Sequence, residues 1–173
     1  MIKESIGLIN QMRDNGVIDN YAIGGAVGAT FYLQPVATQD LDIFVMLTPP
    51  AGGILISLTP IYDYLKSKGC AVEGEHIVIS GWPVQFLPAS TALETEALQK
   101  AITAKLGDIE TQVISAEHLV AIALATGRAK DYARIVQFME ANAIDQKVLN
   151  DILVRHNLSE KWDSFARRYL GTL

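Results

Sequence analysis

Apolar positions recur along the chain with two periods, and the changes from one period to the other mark out its elements. From Lys3 to Asn15, Ile6, Ile9 and Met12 fall at helical spacing and Gly16 follows as a stop, predicting an opening helix. Tyr21-Ala22-Ile23 is a short strand ending at Gly24-Gly25, and Ala26 to Leu33 reads as a short helix closed by Pro35. Leu41 to Leu47 predicts a buried strand, followed by a loop from Thr48 to Gly53. Thr59-Pro60 is read as an N-cap and first turn, opening a helix with Ile61 and Leu65 that stops at Gly69. Ala71 to Ser80 and Trp82 to Leu87, broken at Gly81, predict a hairpin. A helix is expected over Leu93 to Ala104 and a strand over Asp108 to Ile114.

From Ser115 onward only the helical period remains. Residues 116–126 form a very apolar helix, and Tyr132, Ile135, Val136 and Met139 stripe the next. Val148, Leu149, Ile152 and Leu153 stripe a third, capped by Asp145; Trp162, Phe165, Ala166 and Tyr169 stripe a fourth, capped by Ser159. These stripes predict core packing. The chain therefore reads as an α/β (α+β) core over 1–114 and a C-terminal helical segment over 115–173 packed on it.

Half of the 173 residues are hydrophobic and 19% are charged, which is enough to bury a core and excludes a disordered chain. No run approaches the roughly 20 apolar residues of a bilayer span, and Met1-Ile2-Lys3-Glu4 lacks a signal-peptide layout. Cys70 is the only cysteine, which excludes an internal disulfide and points to a cytoplasmic location. We read Cys70 as a small buried residue where a strand begins. A net charge of −5 argues against a surface built for generic nucleic-acid binding. His76, His118 and His156 are far apart, with no zinc-ligand spacing, and are read as structural or surface residues.

The stretch that changes this picture is Ile23-Gly24-Gly25-Ala26 followed by Thr38-Gln39-Asp40-Leu41-Asp42-Ile43. Alternate residues of a strand share a face, so Asp40 and Asp42 project together. Two adjacent carboxylates repel, and one pKa rises unless a cation sits between them. A hard divalent ion uses such oxygen ligands and shares them with phosphates. The glycine pair lets backbone approach a ligand closely, and the helix after it offers N–H groups to a phosphate. A dinucleotide-binding turn is the rival, but Gly24, Gly25 and Gly28 lack the G-x-G-x-x-G spacing. Its acidic residue also ends the second strand, whereas Asp40 and Asp42 open theirs. The acids meet the glycines only if the two strands run antiparallel.

At these residues the chain resembles the nucleotidyltransferase superfamily, whose motif is hydrophobic-Gly-Gly/Ser, a gap, then Asp-hydrophobic-Asp/Glu-hydrophobic. The 14 residues between Gly25 and Asp40 make the gap slightly longer than usual. It is also similar to small prokaryotic nucleotidyltransferase-like proteins related to abortive-infection toxins. That similarity extends to Trp82-Pro83-Val84-Gln85-Phe86-Leu87-Pro88, Ser115-Ala116-Glu117-His118-Leu119 and Gly127-Arg128-Ala129-Lys130-Asp131.

The resemblance implies a mixed sheet flanked by helices, with Mg²⁺ or Mn²⁺ on Asp40 and Asp42. A third acid on a later strand completes the family's site; here that position holds Gln85, and Glu73 or Glu75 is a candidate substitute. The resemblance further implies catalytic roles for Asp40, Asp42 and Lys130. Gly24, Gly25, Thr38, Gln85, Arg128, Lys130 and Asp131 would bind the substrate. Lys130 would meet phosphate oxygens, Arg128 would add a second cation, and Asp131 would orient the lysine. The same junction also reads as a solvated helix boundary with a capping aspartate.

The expected activity moves a nucleoside monophosphate from an NTP to a hydroxyl of a small molecule, protein or RNA end. The alternatives are a nucleotide-binding or regulatory module that has lost turnover, motivated by Gln85, and a toxin paired with an antitoxin partner.

Overall fold

The computed structural model describes residues 2–35, 38–47 and 57–171, so the loop expected from Thr48 to Gly53 lies outside the described residues. Among the described residues seven strands form one mixed sheet: β1 (Asn20–Ile23), β2 (Leu41–Met46), β3 (Ala71–Glu73), β4 (His76–Ile79), β5 (Trp82–Pro88), β6 (Ile102–Leu106) and β7 (Ile109–Val113). Their order across the sheet is β3-β4-β5-β2-β1-β7-β6. β1 runs antiparallel to β2, as the placement of acids and glycines requires, with Ile23 opposite Ile43. β2 pairs parallel with β5, and β1 with β7.

Alternation along β2 divides the interior into two layers. Leu41, Ile43 and Val45 point to one side, where they pack with Ile6, Ile9 and Met12 of α1 (Ile2–Asp14) and Ile61 and Leu65 of α3 (Thr59–Ser67). Phe44 points to the other side and meets Ala97 and Leu98 of α4 (Ala92–Gln99), Leu119 and Val120 of α5 (Ala116–Thr126), and Ile135 and Phe138 of α6 (Ala129–Glu140). Leu149 and Leu153 of α7 (Gln146–Arg155) and Phe165 of α8 (Ser159–Phe165) complete this second layer, and a π turn over Ala166–Leu170 ends it. Asp42 shares the face of Phe44, at the end of β2 nearest Gly24-Gly25. Among the described residues no helix is long and apolar enough to cross a membrane.

Several element expectations need correction. The span read as one strand from Ala71 to Ser80 is two, because Gly74 takes φ +62° and turns the chain between β3 and β4. Ser80 and Gly81, both at positive φ, then make the tight turn into β5. The helix expected to reach Ala104 stops at Gln99. Residues 102–106 pair with β7 through a turn at Gly107, φ +68°. Their side chains stay largely exposed at the sheet edge, so they carry no alternating signal.

The short helix after Gly25 is α2 (Gly25–Ala29) and ends four residues before Leu33. Neither Thr59 nor Ser159 is an N-cap: each is the first helical residue, behind Leu58 and Leu158. The Thr59 N–H donates to Ser57 Oγ, 3.1 Å away. Asp145 does cap α7, accepting from the N–H groups of Lys147 and Val148. Cys70 is half-buried, immediately before β3.

Glu96 ties three helices together. It accepts from Arg155 Nη2 at 2.6 Å, and its carboxylate lies 2.8 Å from His156 Nε2 and 3.2 Å from both His118 Nε2 and Lys100 Nζ. Arg155 above all holds the Glu96 carboxyl well below the usual carboxylate range. His118, 3% exposed, has its pKa lowered by burial against the opposing pull of Glu96. Its folded value lies below its unfolded one. The stability it contributes is therefore present above 6.5 and is lost as pH falls toward the folded value. The melting temperature is expected to drop by about 2–4 °C between pH 7 and 5, the order of 1 kcal/mol for a domain this size. His118→Gln, which retains an amide donor toward Glu96, flattens that slope in a thermal-shift series; an unchanged slope would exclude His118 as its source.

Candidate active site

β1 ends directly in the glycine pair. The Gly24 N–H donates to the Asp42 carbonyl at 2.9 Å, pinning the turn to the strand that carries the acids. Gly25 has φ +56°, a region that penalises any Cβ. A Cβ built there would also collide with the Asp42 carboxylate and stand 2.7 Å from its Cγ. The carboxylate thus lies against the Gly25 backbone, in space only glycine leaves open. Gly24 is constrained by space alone, since a Cβ there would approach Phe44 Cε2 to 2.5 Å.

Asp40 sits just before β2, where the Thr38 hydroxyl is 3.2 Å from both its carbonyl oxygen and its Oδ1. Burial first, and then the charge of Asp40, push the Asp42 carboxyl up; Arg134, Lys130 and Arg128 pull it the other way. Asp42 is therefore an acid held in an unfavourable place by its own neighbour, and facing cations only partly compensate.

These groups line a cleft of about 910 Å³ between the sheet and the helical layer. Gly25, Thr38, Asp40, Asp42 and Gln85 form one wall. Gln85 stands beside Asp42 in the parallel register of β2 and β5. Arg128, Lys130 and Asp131 reach the same cleft from the start of α6, so the sequence-predicted residues converge from four separate segments. Gly24 is buried and supports the turn from behind.

Asp131 departs from its expected role. It is 2% exposed and accepts from Arg128 Nε at 2.7 Å and Arg128 Nη2 at 3.2 Å, so it positions the arginine and not Lys130. It also accepts from the Arg128 N–H at 3.2 Å, the capping bond that the bland reading of the junction anticipated. Glu73 and Glu75 do not line the cleft. Glu73 lies on β3 at the sheet edge, with two strands between it and β2.

Two residues that sequence reasoning passed over belong to this neighbourhood. Arg134 lines the cleft four residues after Lys130, hence on the same helix face; that spacing was a readable signal. His76 Nε2 lies 3.7 Å from Asp40 Oδ2. Its proximity was hidden because the turn at Gly74 was not read. Among the described residues, no three His, Cys, Asp or Glu side chains already stand in metal-coordinating geometry.

No family model matches the chain, and no curated protein does. Solved structures do. An antigenic nucleotidyltransferase-like protein from Paracoccidioides brasiliensis superposes with a TM-score of 0.53 at 14% identity, over 92% of this chain and 90% of that one. The antibiotic-resistance factor ANT(2'')-Ia superposes with a TM-score of 0.52 at 14% identity, over 99% of this chain and all of that one. The protein has a nucleotidyltransferase-like fold.

Proposed function

We propose that the protein is a metal-dependent nucleotidyltransferase that binds an NTP in the Asp40/Asp42 cleft and moves its NMP group to an acceptor hydroxyl. The observation that carries this reading is the Asp42 carboxylate packed on Gly25, beside Asp40 and opposite three cations. The donor set suits a hard divalent ion. Asp40 and Asp42 supply carboxylate oxygens and Gln85 can offer an amide oxygen; burial first, and then repulsion from Asp40, raise the Asp42 pKa, and a cation between the acids would offset both. Mg²⁺ or Mn²⁺ bound there would offset the charge of the triphosphate.

The chain's own residues do the rest. Lys130 and Arg134 meet phosphate oxygens from the helix face opposite the acids. Arg128, held by Asp131, presents its remaining guanidinium N–H groups. The acceptor oxygen forms a bond to the α-phosphorus as the bond from that phosphorus to the bridging oxygen breaks. Pyrophosphate leaves, and the hydroxyl proton passes to an aspartate carboxylate. Lys130→Ala and Arg134→Ala are each expected to weaken NTP binding about 10- to 100-fold, the range for losing a hydrogen bond to a charged group. KM rises more than kcat falls. Unchanged KM in both variants would remove these cations from the site.

Label transfer tests the activity. Each labelled NTP is incubated with Mg²⁺ or Mn²⁺ and with total cell RNA, protein or small molecules, and product labelling dependent on Asp42 is the expected result. Gln85, in register with Asp42 where the superfamily's third acid is expected, favours one other reading: a module that binds nucleotide without turnover. Metal-dependent NTP binding with no labelled product under any condition would select it.

A further inference from the structure

The junction that delivers Arg128 to the cleft is clamped from α8, none of whose residues is among the described residues lining that cleft. α5 ends at Thr126, Gly127 closes it at φ +74°, and Arg128 opens α6 at once. The last carbonyls of a helix have no partner within it. Here the Gly127 N–H donates to the Ala123 carbonyl at 2.9 Å, and Lys161 Nζ donates to the Ala125 carbonyl at 2.8 Å. A lysine in that place also faces the negative end of the helix dipole. A Cβ built at Gly127 would stand 3.1 Å from Tyr132 Oη and 3.2 Å from Lys161 Nζ, so both side chains close on the glycine backbone. Tyr132 is itself fixed, its ring 5.3 Å from Phe165 and 5.4 Å from Tyr169, with Trp162 5.6 Å from Phe165. On the other side Asp131 binds both the N–H and the guanidinium of Arg128. The two-residue junction is thus held between Asp131 and the pair Lys161 and Tyr132.

We infer that Lys161 is a positioning residue for nucleotide binding: without touching the NTP, it fixes the end of α5 and so sets the direction from which Arg128 enters the cleft. The inference rests on the NTP-binding reading above and deepens it. A lysine bonded to a surface carbonyl ordinarily joins two helices and does nothing more. This one lands three residues before a cleft cation, at a turn with no regular structure of its own to orient that cation. Lys130 and Arg134 lie within α6, where the helix orients them, so the influence of Lys161 falls on Arg128.

The test is a double-mutant cycle on the whole protein, read by calorimetric titration of a non-hydrolysable NTP in Mg²⁺. Lys161→Met keeps the apolar stem and removes the donor. It is expected to weaken binding about three- to tenfold, within the range of coupling between residues of one network. In the Arg128→Ala background the same substitution is expected to weaken it less than about twofold, because the group it positions is gone. Lys161→Arg, which can still donate to the Ala125 carbonyl, restores binding to within about twofold of wild type. Thermal melting of each variant, run alongside, confirms that it is folded at the titration temperature. A loss of equal size in both backgrounds, or in neither, would overturn the inference and leave the NTP site standing. Wild type that fails to bind the NTP in Mg²⁺ would overturn both.

Discussion

Asp42→Asn is expected to lower nucleotidyl transfer at least about 100-fold, as loss of a principal electrostatic group does. The same substitution is expected to raise the melting temperature of the metal-free protein by about 2–4 °C, on the order of 1 kcal/mol at this size. The opposite signs share one cause. Burial and the neighbouring Asp40 hold the Asp42 carboxyl above its ordinary value of 3.8. A group whose folded pKa is raised contributes stability only below its unfolded value and loses it as pH rises through the folded one. At neutral pH the ionised carboxylate therefore opposes folding until a cation shares it. Asparagine keeps the shape and removes the charge. Scanning fluorimetry without metal, beside a labelled-product assay with metal, checks both halves. A variant less stable than wild type would mean that Arg134, Lys130 and Arg128 already overcompensate the charge.

Gly25→Ala is expected to destabilise the protein by about 2–3 kcal/mol and to weaken nucleotide binding more than tenfold. Two penalties combine. A residue with a Cβ at this positive φ costs about 1–2 kcal/mol, and the new methyl would occupy the place of the Asp42 carboxylate. Relief requires either the turn or the acid to move, and the Gly24 N–H bond to the Asp42 carbonyl couples them. Chemical denaturation measures the first effect and nucleotide titration the second. Gly16→Ala is the control: Gly16 also has positive φ but nothing within 4 Å of its Cβ position, so it carries the backbone strain alone. Equal effects of the two substitutions on nucleotide binding would separate the turn from the site.

The site was legible where its signal was local. Ile23-Gly24-Gly25 and Asp40-Leu41-Asp42 each report their own backbone, and requiring the two strands to run antiparallel follows from which ends must meet; the register of Ile23 with Ile43 agrees. Gln85 was legible by position, and the sheet sets it beside Asp42. What could not be read were pairings decided by a turn or by tertiary contact. The turn at Gly74 converts one expected strand into two and delivers His76 to Asp40, which no periodicity encodes. Residues 102–106 become a strand through pairing with β7 at an exposed edge, where burial leaves no alternation. Asp131 was read as a partner for Lys130, but the N–H and guanidinium of Arg128 reach it first and fill both of its oxygens.

The central claim, that Asp40 and Asp42 hold a divalent ion with an NTP, is tested most directly by calorimetric titration of a non-hydrolysable NTP. The titration compares wild type, Asp40→Asn and Asp42→Asn, each with millimolar Mg²⁺ and with chelator. Two carboxylates and an amide supply less charge than three carboxylates, and in a cleft open to water that difference amounts to a few kcal/mol at most. Wild type is therefore predicted to bind the NTP in Mg²⁺ and to lose that binding in chelator, while both variants fail to bind in either. Nucleotide binding by Asp42→Asn equal to wild type, or binding by wild type that is indifferent to metal, would contradict the account.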